Sequence, residues 1–385
     1  MSSAPLDELI ASLGDQMVVT DPDILAGYRH DRANDPDAGT PMALIRPVTT
    51  ADVQVVVRWC AAHGIPVITR GAGTSLSGGA TAVDGAVMLS TEKMRNLTID
   101  TATRTAVSQP GLLNAEVKAA AAAHGLWYPP DPSSFEICSI GGNVATNAGG
   151  LCCVKYGVTT DYVLGLEVVL ADGRAIRIGG KQLKDSAGLP LTKLFVGSEG
   201  LLGIVTEVTL RLLPPQASAC TVVGTFASVH HASEAVLAIT ATIRPAMLEF
   251  MDSVSINAVE DMLKMGLDRD AGALLVAQSD APGPAGIAEV ELIEKAFSEH
   301  GATEVFATSD PAEGEAFTAA RRAATPDTTN TVVAAARTTG PDAPHALSPT
   351  ATASHTSGPQ TGHPRQRRRR RRCIELTPGG KTTRR

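Results

Sequence analysis

Residues 66–80 read PVITRGAGTSLSGGA, in which a short apolar run enters an eleven-residue loop with four glycines and three hydroxyl residues. Glycine adopts backbone conformations closed to other residues, and successive N–H groups in such a turn form a concave anion site. Thr74, Ser75 and Ser77 add hydroxyl donors. The loop therefore predicts a pyrophosphate-binding turn, with a purely structural hairpin as the alternative. A Rossmann fingerprint fits poorly, because Leu76 stands where a third glycine or alanine belongs.

Three more segments downstream are rich in turn-forming residues. Residues 128–134 read YPPDPSS, residues 139–150 read SIGGNVATNAGG, and residues 196–204 read VGSEGLLGI. Asn and Gly tolerate positive φ, which predicts that backbone groups of the middle segment turn toward a ligand. Each segment alone is compatible with a simple turn. Together with the first loop they exceed what turn formation requires.

An amphipathic helix precedes the first glycine-rich loop. Thr50 is a candidate N-cap, apolar residues recur at helical spacing, and Gly64 is placed to end the helix before a strand at residues 66–69. A second helix followed by an apolar run covers residues 114–128. Alternating helices and strands predict a mixed α+β fold.

Two consecutive prolines, Pro214 and Pro215, predict a boundary between two structural units. The strands predicted before it cover residues 162–170, 175–178 and 203–213. The elements predicted after it are strands at residues 221–226, 247–251 and 273–278 and helices at residues 233–243, 254–265 and 287–299. The second unit is therefore expected to be a helix-backed sheet.

The composition is that of a globular chain, with 43% hydrophobic and 19% charged residues among 385. Six cysteines are too sparse for a disulfide framework in a chain of this size. The N-terminus has no signal-peptide pattern, and no apolar run is long enough to span a membrane. We therefore expect a cytoplasmic protein with no membrane span.

The sequence changes character after about residue 325. Residues 323–385 carry 11 Lys and Arg against 3 Asp and Glu, within a chain of net charge −7. From Thr328 onward there is no helical or strand period, which predicts a low-complexity tail. Its run of six arginines, residues 367–372, contains no aromatic residue, so we expect no specific nucleic-acid binding. The open interpretations are a basic arm, a solvated run without function and an out-of-frame translation product.

Several residues of reactive type have simple structural interpretations. Tyr156 is predicted to be a core aromatic, and the adjacent Cys152 and Cys153 are predicted to be packing residues. His230 and His231 are predicted in a surface loop that precedes a helix. None of these five residues is expected to carry chemistry.

The four turn-rich segments, in this order, resemble the flavin-binding domain of the FAD-linked oxidases related to vanillyl-alcohol oxidase. The resemblance covers about residues 20–325. NAGG followed by KYG and GSEGLLGIVTE is most similar to the branch that oxidises D-2-hydroxy acids, which includes glycolate oxidase, D-lactate dehydrogenase and D-2-hydroxyglutarate dehydrogenase. A related enzyme such as alkyl-glycerone-phosphate synthase or the cell-wall enolpyruvyl reductase is an alternative that the KYG and NAGG context disfavours.

The resemblance implies an α+β protein in four parts. They are an N-terminal helical segment (residues 1–37), a PCMH-type two-subdomain FAD-binding domain (38–216), an incomplete, ferredoxin-like α+β substrate cap domain (217–325) and a disordered C-terminal tail (326–385).

The cofactor implied by the resemblance is non-covalent FAD, since Thr74 and Ser75 occupy the region where some relatives tether flavin through a histidine. The implied pyrophosphate loop comprises Arg70, Gly71, Ala72, Gly73, Thr74, Ser75, Leu76 and Ser77. The residues implied around the isoalloxazine and ribityl groups are Pro130, Asp131, Ser134, Ile140, Gly141, Gly142, Asn143, Asn147 and Gly149. Those implied near the adenine half are Glu199, Gly200 and Ile204.

In this family a D-2-hydroxy acid is oxidised to the 2-oxo acid by hydride transfer to flavin N5. Arg321, in FTAARRAA, matches the arginine that binds the substrate carboxylate, a task that suits its planar fork of donors. The alternative for Arg321 and Arg322 is a pair of surface helix charges. The resemblance leaves the electron acceptor open among a quinone, a cytochrome, an electron-transfer flavoprotein, an iron–sulfur partner and oxygen.

The family also carries a later HxGDGNxH stretch, whose histidines bind a divalent metal or act as a base. The 385 residues contain no such stretch, and the late histidines His345, His355 and His363 fall in the low-complexity segment. We therefore expect no metal site and an impaired oxidoreductase. A non-catalytic FAD-binding remnant or subunit is the alternative.

Overall fold

A computed structural model describes residues 4–324 of the chain. The disordered tail predicted for residues 326–385, with its three histidines and its arginine run, lies outside the described residues. Three β-sheets organise the described part.

The first sheet has the strand order β1-β2-β4-β3, and β2, β4 and β3 are parallel. Its strands and associated helices are α1 (Ala4–Leu13), β1 (Val18–Val19), α2 (Pro22–Ala26), β2 (Ala43–Ile45), α3 (Thr50–His63), β3 (Val67–Arg70) and β4 (Val87–Ser90). Helices α1 and α3 pack against this sheet through Leu9, Val53 and Val56, which are fully buried. The first glycine-rich loop leaves the sheet directly after its edge strand β3.

Helix α3 begins one residue earlier than the sequence predicts, so the N-cap assignment to Thr50 is wrong. Thr49 is the N-cap, because its hydroxyl accepts from Asp52 N at 3.2 Å while Asp52 Oδ2 accepts from Thr49 N at 2.8 Å. Thr50 instead donates its hydroxyl to Glu167 at 2.7 Å. Gly64, with φ of 63°, ends the helix as predicted.

The second sheet is antiparallel throughout, with the order β5-β6-β9-β7-β8. Its strands and associated helices are β5 (Leu97–Asp100), β6 (Thr105–Ser108), α4 (Asn114–Ala123), α5 (Ile140–Thr146), α6 (Cys153–Tyr156), β7 (Val163–Val169), β8 (Ala175–Gly179), α7 (Leu191–Phe195) and β9 (Ile204–Arg211). Burial alternates along β9, as expected for a strand with one face on a core. Helices α4 and α5 cover that core through Val117, Ile140 and Val144.

The second glycine-rich segment is a helix rather than the positive-φ turn that its Asn and Gly content predicts. Ser139 caps α5 by accepting from Gly142 N at 3.2 Å, and Ile140 and Val144 pack one turn apart in the core. Within the fully described segment 139–150, only Asn147 has positive φ, at 49°, and it ends the helix. Burial of these apolar residues thus overrides the weak helix propensity of Gly and Asn.

The third sheet is also antiparallel, with the order β11-β12-β10-β13. Its strands and associated helices are β10 (Cys220–Phe226), α8 (Val229–Thr240), β11 (Met247–Asp252), α9 (Ser253–Leu263), β12 (Ala273–Ser279), α10 (Pro284–Glu299), β13 (Ala302–Thr308) and α11 (Pro311–Ala323). Helices α8 and α10 cover one face, where Phe226 and Phe297 meet edge to face at 5.5 Å. Helices α9 and α11 cover the other face, and Leu151 enters that core from the preceding half of the chain.

His230 and His231 lie in the first turn of α8, not in the surface loop predicted for them. The helix begins earlier than its apolar pattern indicates because Ser228 supplies the N-cap, accepting from His231 N at 3.3 Å. Strand β13 has no clear signal in the sequence, since its residues are mostly exposed and do not alternate cleanly.

Candidate functional site

The loop after β3 approaches α5 so closely that its first position has room only for glycine. A Cβ on Gly71 would overlap Ser139 Oγ, which accepts hydrogen bonds from Ala72 N and from Gly142 N, each at 3.2 Å. Gly73 has φ of +69°, in the left-handed region that favours glycine. Ser139 therefore ties the first glycine-rich segment to the second and fixes the gap between them.

This gap contains polar hydrogens without acceptors. Among residues 4–324, no hydrogen-bond acceptor is found for the backbone N–H groups of Gly73, Thr74, Ser75 and Leu76. The side-chain amide Nδ2 of Asn143 is buried and likewise has no partner in the described part of the chain. An unpaired buried donor costs about 1–3 kcal/mol, which applies here to the Asn143 amide, whereas the N–H groups of residues 73–76 lie on a partly exposed loop. Together they fit a ligand rich in acceptor oxygens, such as a phosphate chain.

Three adjoining cavities extend along the gap, with volumes of about 250, 70 and 220 Å³. The first lies between the loop after β3, Pro132, Ser134 and one side of α5. The second shares Thr69, Gly71 and Gly142 with it, and the third continues past Gly200 and Ile204 to Cys60 on α3. We call the three segments that line this elongated space, residues 69–76, 139–148 and 198–204, the glycine cradle.

Glu199 closes the cradle from the third segment. It has φ of 53°, and its N–H donates to the carbonyl of Ala145 in α5 at 2.9 Å. Gly200 follows with φ of 76°. The backbone thus makes a tight left-handed turn across the end of α5, which places Glu199 on the wall of two of the three cavities.

Most of the residues predicted to bind the cofactor line these cavities. They are Gly71, Ala72, Gly73, Thr74, Ser75, Leu76, Ser134, Gly141, Gly142, Asn143, Glu199, Gly200 and Ile204. Their contacts with a bound cofactor remain predictions. The sequence reasoning missed Thr69, Pro132, Ala145, Thr146 and Ala148, although Ala145 and Thr146 follow Gly142 by three and four residues on the same helix face.

The other predicted cofactor residues do not line the three cavities. Arg70 donates to the carbonyl of His30 at 2.8 Å, and its guanidinium lies 5.5 Å from the ring centre of Tyr28. Ile140 is fully buried in the core beneath α5. Ser77 shares a hydrogen bond with the hydroxyl of Ser75, and the carbonyl of Pro130 accepts from Asn114. Asp131, Asn147 and Gly149 are likewise absent from the lining of the three cavities.

Asp131 belongs to a buried charged network beside the cradle. Its Oδ2 lies 3.6 Å from Arg322 Nη2 on α11, and it accepts from Cys152 N at 3.3 Å. Burial raises the pKa of Asp131, against the opposing effect of Lys118, Cys152 and Arg322. Because Pro132, the next residue, lines the first cavity, this network brings the end of α11 to the rim of the cradle.

Arg321, the predicted substrate-binding residue, lies on the last turn of α11. Its Nε is 2.9 Å from Glu249 Oε2 on β11, and both side chains are mostly buried, with 27% and 17% exposure. Burial raises the pKa of Glu249, while the Arg321 guanidinium opposes the rise. Arg321 and Arg322 are therefore not the exposed helix charges of the alternative interpretation, since their side chains are 27% and 19% exposed.

A second charged cluster joins the third sheet to the segment that contains KYG. Asp280, which follows β12, accepts hydrogen bonds from Lys155, from the hydroxyl of Tyr156 and from Gln216 Nε2 at 3.1 Å. Burial acts to raise the pKa of Asp280, but the three donors outweigh it and lower the pKa. We call this cluster, together with the Asp131–Arg322 pair, the junction.

The junction corrects the interpretation of Tyr156 and Cys152 as simple packing residues. Tyr156 stacks edge-on against Trp127 at 4.8 Å, yet its hydroxyl is bound to Asp280. Cys152 donates its thiol to Asp131 at 3.6 Å, and burial raises the pKa of Cys152 to about 12. Cys153 Sγ accepts from Gly150 N at 2.8 Å. These side chains bind across the junction as well as filling space.

None of the helices between residues 4 and 324 has the length and apolar character needed to cross a membrane. Within the same residues, no three His, Cys, Asp or Glu side chains are grouped as ligands of a metal ion.

Comparison with known families assigns both halves of the described chain. Residues 41–179 match the FAD binding domain family, and residues 215–342 match the C-terminal domain of FAD linked oxidases. The fold resembles that of 4-ethylphenol oxidase from Gulosibacter chungangensis, with a TM-score of 0.70 at 20% identity over 84% of this chain and 71% of that chain. The α+β architecture with a PCMH-type FAD-binding fold is thereby confirmed. Both matching family models are those of FAD-linked proteins.

Three related proteins identify the family of this chain. The chain is 42% identical to the glycolate oxidase subunit GlcD of Bacillus subtilis over 286 residues, which are 74% of this chain and 61% of GlcD. It is 39% identical to D-lactate dehydrogenase of Archaeoglobus fulgidus, over 58% of this chain and 51% of that protein. It is 34% identical to the FAD-linked oxidoreductase Rv2280 of Mycobacterium tuberculosis, over 83% of this chain and 73% of Rv2280. The chain belongs to the FAD-linked oxidase family.

The chain matches about three-fifths of the length of GlcD and about half of that of the D-lactate dehydrogenase.

Proposed function

We propose that this chain is an FAD-dependent oxidoreductase that oxidises a D-2-hydroxy acid of the glycolate or D-lactate type to the 2-oxo acid. The observation that carries the proposal is the glycine cradle, whose unpaired donors lie along an elongated cavity. Pro132 on the wall of this cavity follows Asp131, which pairs with Arg322 of α11. The relatives named glycolate oxidase subunit and D-lactate dehydrogenase support the substrate class.

The proposed cofactor is FAD, held without a covalent bond. The unpaired amides of residues 73–76 and the side-chain amide of Asn143 would receive the phosphate oxygens. The third segment, with Glu199 and Gly200, would lie along the adenine half, and Ser134 with Pro132 would lie at the isoalloxazine end. Thr74 and Ser75 offer no nucleophile of the kind that tethers flavin in some relatives.

The proposed substrate-binding group is Arg321. When bound, the flavin supplies the hydride acceptor at N5, and the protein supplies orientation of the substrate. A guanidinium holds a carboxylate bidentately, which fixes the position of the adjacent C2 hydroxyl. Arg322, through Asp131, keeps the last turn of α11 against the cradle.

We also propose that proton transfer from the substrate hydroxyl is impaired, since the HxGDGNxH stretch of the family is not found in the 385 residues. A positioned base contributes about 10²–10⁴-fold to such a reaction. This observation favours a second candidate function, a non-catalytic FAD-binding subunit or remnant. In either case we assign residues 38–216 to FAD binding, residues 217–325 to the substrate cap and the protein to the cytoplasm, with the electron acceptor unassigned.

The test is an anaerobic visible spectrum of the FAD-reconstituted protein before and after addition of D-lactate, glycolate or D-2-hydroxyglutarate. Bleaching of the flavin bands with one of them would establish the oxidoreductase and identify the acid. Slow bleaching, over minutes to hours, is the result expected for an impaired enzyme. Flavin bands that persist with all three acids would leave the FAD-binding subunit, and absence of bound flavin would contradict both candidate functions.

A further inference from the structure

Arg321 and Arg322 are adjacent on α11, and each is partly buried and paired with different acidic side chains. Arg322 is held on three sides, by Glu315 at 2.7 Å, by Asp131 at 3.6 Å and by the ring of Phe135 at 5.0 Å. The cation–π contact and the two ion pairs leave its guanidinium little freedom. Arg322 therefore has more partners than Arg321, although the Nε atoms of both arginines are buried without a hydrogen-bond partner in residues 4–324.

Arg321 has a different counter-ion, Glu249, at 2.9 Å on the edge strand β11. Glu249 faces charged or titratable groups from three other elements: Arg321 of α11, Asp131 of the loop before α5, and Cys153 of α6. Asp131 and Cys153 are acids, so among these three groups Arg321 is the one that favours the ionised form of Glu249. Burial and Asp131 both raise the pKa of Glu249 above its ordinary value, while Arg321 opposes the rise.

A substrate carboxylate bound to Arg321 would add a second anion to one guanidinium. It would lie near Glu249 and within reach of the field of Asp131, in a site where side chains are mostly buried. When two carboxylates share one cation, their mutual repulsion raises the pKa of one of them, so that one carboxylate is protonated more easily. Of the carboxylates present, the substrate acid has the lowest intrinsic pKa, and Asp131 keeps Arg322. The proton therefore goes to Glu249.

We propose that Glu249 is the positioning residue for Arg321 and that it takes up a proton from solvent when a 2-hydroxy-acid carboxylate binds there. The inference rests on the proposed function, because it uses Arg321 as the carboxylate-binding group. Without ligand, Glu249 neutralises and orients the guanidinium. With ligand, protonated Glu249 releases the guanidinium to the substrate and still offers one hydroxyl hydrogen bond.

The expected pH dependence follows from linkage. The pKa of Glu249 is higher in the complex than in the free protein, so affinity is constant below the free-protein value, where Glu249 is protonated in both states. As the pH rises between the two pKa values, the complex holds more protons than the free protein and the Kd increases, by up to about tenfold per pH unit. Above the pKa of the complex the Kd is constant again.

The test is isothermal titration calorimetry of the FAD-loaded protein with 2-hydroxyisobutyrate, which has no hydrogen on C2 and cannot donate a hydride. Titrations at the same pH in phosphate and in Tris, whose ionisation enthalpies differ, give the number of protons taken up per ligand bound. Perturbation of the flavin absorbance gives an independent Kd. Titrations between about pH 5.5 and about pH 8.5 cover the region above the ordinary glutamate pKa.

The variants are Glu249→Gln, Arg321→Gln and, as a matched control, Glu304→Gln on β13, the opposite edge strand of the same sheet. We expect proton uptake in the wild type and in Glu304→Gln, none in Glu249→Gln, and a Kd for Glu249→Gln that is nearly independent of pH. Equal proton uptake by Glu249→Gln and the wild type overturns the inference alone. Unchanged binding by Arg321→Gln, or no binding by the wild type, overturns the carboxylate site of the proposed function and this inference with it.

Discussion

The glycine cradle and the junction are built from opposite materials. The cradle is backbone brought close by glycine, and Ser139 Oγ joins its first segment to its second. The junction is made of charged and polar side chains, in which Asp280 alone accepts from three donors. Adding one carbon to the cradle should therefore weaken FAD binding, and removing one carboxylate from the junction should lower the stability of the protein.

The largest effect is expected at the junction. Asp280→Ala leaves the partly buried Lys155 and Tyr156 without their shared acceptor, and breaking a fully buried ion pair costs about 3–5 kcal/mol. Lys155 keeps 27% exposure and can reach water, so we expect the free energy of unfolding to fall by about 3 kcal/mol. Denaturant titration of the FAD-loaded protein measures it.

Asp270→Ala is the control for that variant, since Asp270 is an exposed carboxylate of the same domain. We expect a change of no more than about 0.5 kcal/mol for it. Equal unfolding free energies for the two variants would show that the junction does not hold the sheets together.

The cradle is tested by Gly71→Ala. The added Cβ displaces Ser139 Oγ, which then loses its hydrogen bonds to Ala72 N and Gly142 N. Moving the loop away from α5 to relieve this overlap costs about 2 kcal/mol, as is typical of overpacking, so we expect the Kd for FAD to rise about 30-fold. Fluorescence titration of the apoprotein with FAD measures the change.

Two further variants separate crowding of the cradle from a general loss of stability. In Gly71→Ala with Ser139→Ala, the overlapping atom is gone and the next contact is at 3.4 Å, so FAD affinity should partly return. Gly266→Ala, at φ of +82° in the third-sheet domain with no atom within 4 Å, should lower stability and leave the Kd unchanged. If the double variant binds FAD no better than Gly71→Ala, overlap with Ser139 is not the cause.

A smaller effect is expected from acid titration of the junction. The pKa of Asp280 is lowered in the folded protein, so the folded state binds fewer protons than the unfolded chain between the two pKa values. Its stabilisation is therefore fully present above the unfolded value of about 3.9 and is lost as the pH falls through the folded value. Other carboxylates contribute to the same acid limb, among them Asp100 and Glu260.

The comparison of wild type with Asp280→Asn isolates the Asp280 contribution. We expect the unfolding free energy of the variant to fall less steeply below about pH 4, measured by denaturant titration at a series of pH values. Parallel curves would mean that Asp280 does not titrate as a paired carboxylate.

The difference between the glycine cradle and the junction also explains which parts of the site could be predicted from the sequence. The cradle residues lie in contiguous runs such as RGAGTSLS, where spacing alone signals a binding turn, and most of them line the cavities. The junction pairs Lys155 with Asp280 across 125 positions, a separation at which local pattern carries no information. Helix α5 was not predicted for another reason. Ile140 and Val144 pack in a core with distant strands, and this burial outweighs the turn propensity of the neighbouring Gly and Asn residues.

The central claim is that the cradle holds FAD without a covalent bond. Its most direct test is to load the purified chain with FAD, remove unbound flavin by gel filtration, precipitate the protein with acid and measure flavin in the supernatant and pellet. The account predicts about one FAD per chain, all of it in the supernatant. Flavin retained in the pellet would contradict the non-covalent site, and a chain that retains no flavin before precipitation would contradict the cradle itself.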